Sequence, residues 1–245
     1  MNNLNSSSLH INPNVSVDCV IFGYDGQNLN VLLVRQTSAE GDAAIKLPGS
    51  LIFDEEDLDE SAQRVLRELT GLSSVQMQQF HAFGSKDRTQ NPDDMLWLTR
   101  FHQLSGNVKR IVTVAYWALL KISSRLEPLS TRYEASWVPL EKISKLAFDH
   151  NQIVERAIGH LRQYAEQNPI LLIELLPRKF TALQLRSFFE VIYEHEYDVR
   201  NFHKKLSQMN YVVPLDEYEV GVSHRAARYY KFDKVKYNQY SRRMS

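Results

Sequence analysis

The hydrophobic positions in the first half of the chain alternate or run together in the short stretches that are typical of β-strands. Residues 15–22 and 29–35 are apolar and β-branched, and Asp25-Gly26 between them supplies a turn. This pattern predicts a β-hairpin. Three further stretches with strand-like patterns are residues 75–83, 111–122 and 137–138. We therefore expect a β-sheet at the centre of this half.

Two stretches of the same half repeat their apolar residues at helical spacing. Leu58–Leu69 has apolar residues three or four positions apart, and Gly71 follows it, which predicts a helix that ends at a glycine. Residues 152–164 predict a second helix. Strands around one helix, with another helix at the end, predict an α/β or α+β sandwich.

The pattern changes after residue 167, where Asn168-Pro169 and Leu176-Pro177 interrupt the chain. Thr181–Tyr193 predicts an amphipathic helix with Thr181 as its N-cap, and Asp198–Met209 predicts another. Residues 211–214 and 227–232 predict a β-hairpin. The expected organisation is a flexible tail at 1–14, one domain at 15–167, and a linker with a second domain at 168–245.

The composition is that of an ordinary globular protein with an uneven distribution of charge. The 245 residues are 43% hydrophobic and 24% charged, with a formal net charge of zero. These values argue against disorder and against a collagen-like fibre. Residues 200–245 hold ten Lys or Arg and four acids, a net charge of +6 against −6 for the rest. A basic module joined to an acidic one suggests a polyanionic partner, although a basic segment can also serve solubility alone.

Two further features bear on where the protein works. The chain has no run of about 18 apolar residues, as a membrane-spanning helix requires, and its Asn/Ser-rich start does not resemble a secretory signal. Cys19 is the single cysteine, which excludes an intrachain disulfide and a four-thiolate metal site. We therefore expect a cytoplasmic protein that does not contact a membrane.

Residues 50–72 carry most of a known catalytic pattern. Glu56, Arg64, Glu68 and Gly71-Leu72 have the spacing of the Nudix box, G-x5-E-x7-R-E-U-x-E-E-x-G-U, where U is a bulky aliphatic residue, and Ser50 stands at its first glycine. The segment therefore resembles that box. The resemblance implies a loop, a helix and a loop, which in active members hold magnesium or manganese through helical glutamates.

Two of the three helical glutamates of that pattern are replaced here, by Val65 and Leu69. The two positions are four residues apart and share one face of the helix, so we expect the neighbouring surface to be apolar. Glu68 alone is a poor site for a hard cation that needs several oxygen ligands. We therefore predict no catalytic residue, no metal ion and no cofactor. Arg64 and Glu68 can equally form an ion pair, and Glu56 can be an ordinary solvated acid.

A binding pocket can persist above such a helix after its chemistry is lost. The polar residues of the box and the charged residues near positions 86–88 and 149 are the candidates for its lining. The predicted effector-binding residues are Lys46, Glu56, Arg64, Glu68, Lys86, Asp87, Arg88 and Asp149.

The helix predicted at Asp198–Met209 has a basic outer face. Val199, Phe202, Leu206 and Met209 form one apolar stripe, and Asp198 stands at the N-cap position. In the major groove Arg pairs with guanine and Asn with adenine, so this helix suits duplex DNA, although a solvated surface helix is the alternative. The predicted DNA-binding residues are Arg200, Asn201, His203, Lys204 and Lys205 on the helix, and Arg225 and Arg228 on the hairpin whose loop ends in Ser223-His224-Arg225.

The order of a helix, a basic helix and a basic hairpin resembles a winged helix-turn-helix. Over residues 15–235 the chain resembles one family, the Nudix-related transcriptional regulators. The motifs that carry this resemblance include Leu47-Pro48-Gly49, Leu146-Ala147-Phe148-Asp149-His150, Leu175-Leu176-Pro177, Phe180-Thr181 and Arg200-Asn201-Phe202.

The resemblance implies a Nudix-like α/β/α sandwich followed by a winged helix. It also implies a homodimeric bacterial regulator, associated with the nucleoid, that binds duplex DNA and a small-molecule effector. The effector would be a sugar such as arabinose or a nucleotide-derived metabolite such as ADP-ribose, and the two missing glutamates are closer to the sugar-responsive branch. Residues 89–107, with Trp97 and Phe101, are an insertion relative to this family.

Two other functions remain open at this point. A Nudix hydrolase of a nucleoside diphosphate derivative would need replacement carboxylates such as Asp59, Glu60 or Asp87. An RNA-binding adaptor would need exposed aromatic residues for base stacking, and Phe202 lies on the inward stripe instead.

Overall fold

The computed structural model describes residues 10–37, 43–88, 90–92, 94, 110–122, 126, 133–223 and 225–244. Residues 1–9 of the predicted tail, most of the predicted insertion with Trp97 and Phe101, and His224 lie outside these residues. The chain divides into two units, one of Met1–Gly23 and Asn30–His160, the other of Tyr24–Leu29 and Leu161–Ser245. In the described part of the chain, no helix is long and apolar enough to cross a membrane.

A seven-stranded sheet organises the first unit. Its strands are β1 (Ile11–Tyr24), β2 (Leu29–Thr37), β3 (Ala43–Lys46), β4 (Gly49–Phe53), β5 (Gln78–Phe83), β6 (Val112–Lys121) and β7 (Tyr133–Pro139). Their order is β3-β2-β1-β6-β5, while β4 pairs with β1 and β7 pairs with β2. The predicted hairpin turn at Asp25-Gly26 is present, with Gly26 at a φ of 104°.

Helix α1 (Leu58–Thr70) begins and ends at residues that satisfy its terminal backbone groups. The Asp57 side chain accepts a hydrogen bond from the Glu60 N–H, and the Glu60 side chain accepts one from the Asp57 N–H. Gly71 ends the helix with a φ of 79°. The buried face of α1 shares one hydrophobic core with β1, β2 and β6. The helix predicted at 58–69 is confirmed.

Later in the chain, Leu140–Lys142 forms a single 3-10 turn and α2 spans His150–Gln167. The second unit also contains α3 (Ile170–Ile173), α4 (Ala182–Tyr193), α5 (Val199–Gln208) and α6 (Lys234–Met244). Its three-stranded sheet has the order β8-β10-β9, from β8 (Phe180–Thr181), β9 (Val212–Tyr218) and β10 (Arg228–Phe232).

The helices of the second unit confirm the predicted order of two helices and a hairpin. Thr181 caps α4 by accepting from the Gln184 N–H, as its sequence position predicts. Phe188 and Phe189 of α4 are buried, as are Phe202 and Leu206 of α5. An edge-to-face contact joins the Phe189 and Phe202 rings at 6.1 Å.

The structure corrects the sequence prediction at three places in the described chain. β1 begins at Ile11, inside the predicted tail, and the His10 carbonyl there accepts from the Asp54 N–H at 2.9 Å. Strands β3 and β4 were not predicted because four or five residues around Pro48 are too few to show a period. Helix α6 was also missed, since its sequence is mostly polar and basic.

Candidate effector site and nucleic-acid interface

Val65 and Leu69, which replace two metal-binding glutamates of the box, point into the hydrophobic core. Their side chains are 0% and 5% exposed and lie in one cluster with Cys19, Ile21 and Tyr116. The expectation that they make the neighbouring surface apolar was therefore wrong, because this face of α1 packs against the sheet. Both positions stabilise the fold by burial.

The remaining polar residues of the box hold one another. Arg64 donates from Nε to the Glu56 carboxylate at 2.7 Å and contacts Glu68 at 3.3 Å, with its guanidinium 4.2 Å from the centre of the Phe53 ring. The predicted pair of Arg64 and Glu68 is confirmed. Glu56 is not the solvated acid that was one expectation, because its side chain is mostly buried and also accepts from the Phe53 N–H. Partial burial acts to raise the pKa of Glu56, but these hydrogen bonds outweigh it and lower the pKa.

These residues do not fit the divalent cation that a Nudix box ordinarily holds. Of the box positions, Glu68 carries a carboxylate that is well exposed, while Glu56 is already bound to Arg64. Asp59, one of the possible replacement ligands, accepts a 2.6 Å hydrogen bond from the Tyr116 hydroxyl. Among the described residues, no group of three or more His, Cys, Asp or Glu side chains is placed to bind a metal ion.

A second group of charged residues is buried where β1, β3 and the start of α2 meet. This charged cluster consists of Asp18, Lys46, Arg88, Asp149 and His150, all with low exposure. Arg88 donates to both carboxylate oxygens of Asp149, at 2.9 and 3.0 Å. Its Nη2 atom also lies 3.7 Å from a carboxylate oxygen of Asp18. Such a two-point contact between a guanidinium and a carboxylate fixes both side chains.

The loop at Gly49 closes over this cluster. The Lys46 ammonium donates to the Gly49 carbonyl oxygen, and Gly49 faces Asp18 across the β1–β4 pair. A Cβ atom added to Gly49 would lie 1.8 Å from the Asp18 carboxylate oxygen, so only glycine fits here. Burial lowers the pKa of Lys46 to about 8, although the Asp18 carboxylate opposes this shift.

His150 is held in one tautomer by its two neighbours. Its Nδ1 accepts a hydrogen bond from the Leu47 N–H at 3.0 Å, so the proton is assigned to Nε2, which lies 3.4 Å from Asp18. Burial lowers the pKa of His150, although the charge of Asp18 opposes this. The imidazole is therefore neutral and aligns the Leu47 loop with α2.

The structure brings the predicted effector residues together only in part. Lys46, Arg88 and Asp149 share the charged cluster, whereas Arg64 and Glu68 of α1 form an ion-paired group with Glu56 from the preceding turn. Lys86 and Asp87 are exposed in the turn after β5. Sequence reasoning missed Asp18 and His150, although a single acid inside the apolar stretch at 15–22 was a usable signal.

Helix α5 presents a polar and basic surface to solvent. Asp198 caps it by accepting from the Asn201 N–H at 3.0 Å, as predicted. We call four of its exposed residues the outer face of α5, namely Arg200, Asn201, His203 and Lys204. Ser207 and Gln208, nearer the end of the helix, are exposed as well.

Two residues of α5 do not lie where the sequence placed them. Val199 was expected on the buried stripe but is 52% exposed, because the first side chain of a helix projects beyond its N-terminus. Lys205 was predicted to bind DNA, but its ammonium lies among the rings of Phe189, Tyr193 and Tyr197, at 5.1, 6.0 and 4.9 Å from their centres. This cation–π contact anchors α5 on its neighbours, so Lys205 is not part of the outer face.

The hairpin of β9 and β10, here called the wing (residues 212–232), carries the other predicted contacts. Arg225 is exposed near its tip, and Arg228 is exposed while its Nε donates to the Leu215 carbonyl oxygen at 2.6 Å. Gly221 turns the tip with a φ of 76°.

The fold and the two sites define a Nudix domain joined to a DNA-binding winged helix. The chain belongs to the NUDIX domain family, whose model matches residues 12–157. Residues 172–232 match the NrtR DNA-binding winged helix domain. These matches confirm the fold class and the resemblance to the Nudix-related transcriptional regulators.

Three similar proteins match nearly the whole chain. The ADPR responsive transcriptional repressor NtrR of Acinetobacter baylyi is 28% identical over 224 residues, which cover 90% of this chain and 82% of that protein. The crystal structure of Shewanella oneidensis NrtR complexed with a 27mer DNA is 25% identical, with a TM-score of 0.63 over 89% of this chain and 93% of that one. A MutT/nudix family protein from Enterococcus faecalis shares the fold, at 23% identity and a TM-score of 0.59 over 91% and 89% of the two chains.

Proposed function

We propose that this protein is a transcriptional regulator that binds duplex DNA through its second unit and a nucleotide-derived effector through its first. The outer face of α5 is the observation that carries this proposal, because it combines a capped helix start with Arg200 and Asn201 in solvent. Those residue types recognise guanine and adenine in the major groove. Membership of residues 172–232 in a family of DNA-binding winged helices supports the same assignment.

The proposed DNA contacts divide into two kinds. Arg200 and Asn201 contact bases, while His203 and Lys204 contact phosphates from the same helix. Arg225 and Arg228 on the wing contact phosphates or the minor groove beside it. We propose a homodimer, whose two α5 helices would meet half-sites about one helical turn apart or a multiple of it.

ADP-ribose is our choice among the effectors that the sequence resemblance implied. The missing glutamates had favoured the sugar-responsive branch, but the Acinetobacter relative is an ADPR responsive repressor. The exposed Lys86, Asp87 and Glu68 would contact this ligand, while the charged cluster of Lys46, Arg88 and Asp149 would position the loops around it. The proposed domains are those of the sequence analysis, 15–167 for the effector and 168–245 for DNA, except that the first domain begins with β1 at Ile11.

The sequence of the box supports binding without hydrolysis. Val65 and Leu69 are buried aliphatic residues at positions where a hydrolase needs carboxylates to bind its cation. The test of this part is a diphosphatase assay with ADP-ribose and Mg²⁺ or Mn²⁺. Turnover that Glu68→Gln abolishes would favour the hydrolase instead.

The DNA-binding part is tested by letting the full-length protein select duplexes from a random pool and measuring their affinity by fluorescence anisotropy. Arg200→Ala should weaken binding to the selected duplex by about 1–3 kcal/mol, and Arg225→Ala should also weaken it. Equal binding by both variants and the wild type would refute the interface, and tighter binding to hairpin RNA would favour the RNA adaptor. ADP-ribose should change the affinity of the wild type, with a coupling of about 1–3 kcal/mol.

A further inference from the structure

Val199 is the first residue of α5 and an apolar residue beside the base-contacting positions proposed above. Its side chain is 52% exposed, whereas Phe202 and Leu206 further along the helix are buried. Its sequence neighbours Arg200 and Asn201 are exposed as well. The start of α5 therefore presents one aliphatic group next to two hydrogen-bonding side chains.

Helix stability gives little reason for a valine at this position. A β-branched side chain is a weaker helix former than alanine, and an aliphatic group that is half exposed to water contributes only part of its hydrophobic free energy. Replacement by alanine should therefore leave folding unharmed. A role in recognition would account for the side chain better than a role in packing.

We infer that Val199 contacts the 5-methyl group of a thymine in the major groove, an inference that rests on the proposed function. The N-terminal residues of a recognition helix meet the base edges. Those edges offer one apolar group, the thymine methyl, beside the polar atoms that suit Arg200 and Asn201. Val199 then selects thymine at a position next to the bases that these two residues contact.

The surroundings of Val199 favour duplex DNA over other partners. Arg200, His203 and Lys204 give this end of α5 a basic character, which suits a polyanion better than the apolar surface of another protein. Duplex RNA has a deep, narrow major groove that side chains cannot reach. Duplex DNA offers both the phosphates and an accessible methyl group.

The experiment compares thymine with uracil in a duplex that the full-length protein has selected. Each thymine is replaced in turn by deoxyuridine, which removes one methyl group and leaves base pairing and phosphates unchanged. The wild type should bind about fourfold more weakly when the contacted thymine is changed, as expected for one lost buried methyl group. Val199→Ala should bind the thymine duplex about fourfold more weakly and should not distinguish the two duplexes.

Val235→Ala is the matched control, since Val235 is also an exposed valine, at 67%, in the first turn of the helix α6. This variant should discriminate between thymine and uracil as the wild type does. Urea unfolding should show that Val199→Ala is at least as stable as the wild type.

The possible failures are distinct. Discrimination by Val199→Ala equal to that of the wild type would overturn the inference while the DNA-binding function stands, and so would a wild type that is indifferent at every thymine. A full-length protein that selects no duplex at all would overturn the proposed function.

Discussion

Arg88 and Asp149 lie 61 residues apart in the sequence and bind each other through two hydrogen bonds of 3.0 and 2.9 Å. Arg88 also contacts Asp18 and donates to the Ile111 carbonyl oxygen. One buried guanidinium thereby joins β1, the turn after β5, the start of β6 and the start of α2.

Replacing Arg88 with Met should destabilise the first unit strongly. Two buried carboxylates would lose their counterion, at a cost of about 3–5 kcal/mol in the free energy of unfolding. Urea unfolding followed by tryptophan fluorescence measures this. Glu68→Gln is the control, because it removes one exposed ion pair in the same unit and should cost about 0–1 kcal/mol. Equal stability of the two variants would contradict the structural role of Arg88.

Restoring a carboxylate at position 69 should unfold the protein and not revive a hydrolase. Leu69→Ala leaves a cavity and should cost about 2–5 kcal/mol. Leu69→Glu should cost more, because it also buries a charged group without a partner. Urea unfolding ranks the two variants, and a diphosphatase assay with Mg²⁺ accompanies it. A stable Leu69→Glu protein that hydrolyses ADP-ribose would show that this face of α1 opens to solvent.

The buried His150 should make the protein less stable in mild acid. Its pKa is lowered by burial, so the unfolded chain binds a proton more readily than the folded protein as the pH falls below 6.5. The contribution of His150 to the free energy of unfolding is therefore complete above pH 6.5, and it is lost as the pH falls through the pKa that His150 has in the folded protein. His150→Asn keeps an acceptor for the Leu47 N–H but does not titrate. Chemical unfolding between about pH 5 and 8 should show a smaller pH dependence for His150→Asn than for the wild type.

Replacing either of two adjacent lysines of α5 with glutamine should affect a different property of the protein, DNA binding for Lys204 and stability for Lys205. In a plot of log affinity for DNA against log salt concentration, Lys204→Gln should reduce the magnitude of the slope by about one. Its free energy of unfolding should stay within about 0.5 kcal/mol of the wild type. Lys205→Gln should lower stability by about 0.5–2 kcal/mol through the lost cation–π contact and leave the salt slope unchanged. Anisotropy titrations over a range of salt concentrations and urea unfolding test the pair. A reduced salt slope for Lys205→Gln would return this residue to the DNA interface.

Helices α1, α4 and α5 were predictable because the signals that define them are local, whereas α6 was missed because its sequence is mostly polar and basic. Asp57, Gly71, Thr181 and Asp198 all end or begin helices as their positions in the sequence indicate. The degenerate box was equally readable, since it depends on spacing alone. The exposure of Val199 could not be predicted from the helical period of the apolar residues alone, because it also depends on the geometry of the helix end.

The charged cluster was not predictable from local signals, because its members come from distant parts of the chain. Arg88 and Asp149 had been expected near one pocket, but their direct bond depends on how β1 and α2 meet.

The position of Lys205 could not be predicted for a different reason. It follows Phe202 by three residues, at the border of the buried stripe, and its long side chain reaches the rings of α4 and Tyr197.

The Asp18 carboxylate occupies the space in which any other residue at position 49 would place its first side-chain atom. The two positions therefore cannot diverge independently in descendants of this protein. A lineage can acquire a side chain at position 49 only after position 18 has become smaller and the backbone at Val17, whose carbonyl oxygen would lie 2.9 Å from the new atom, has shifted.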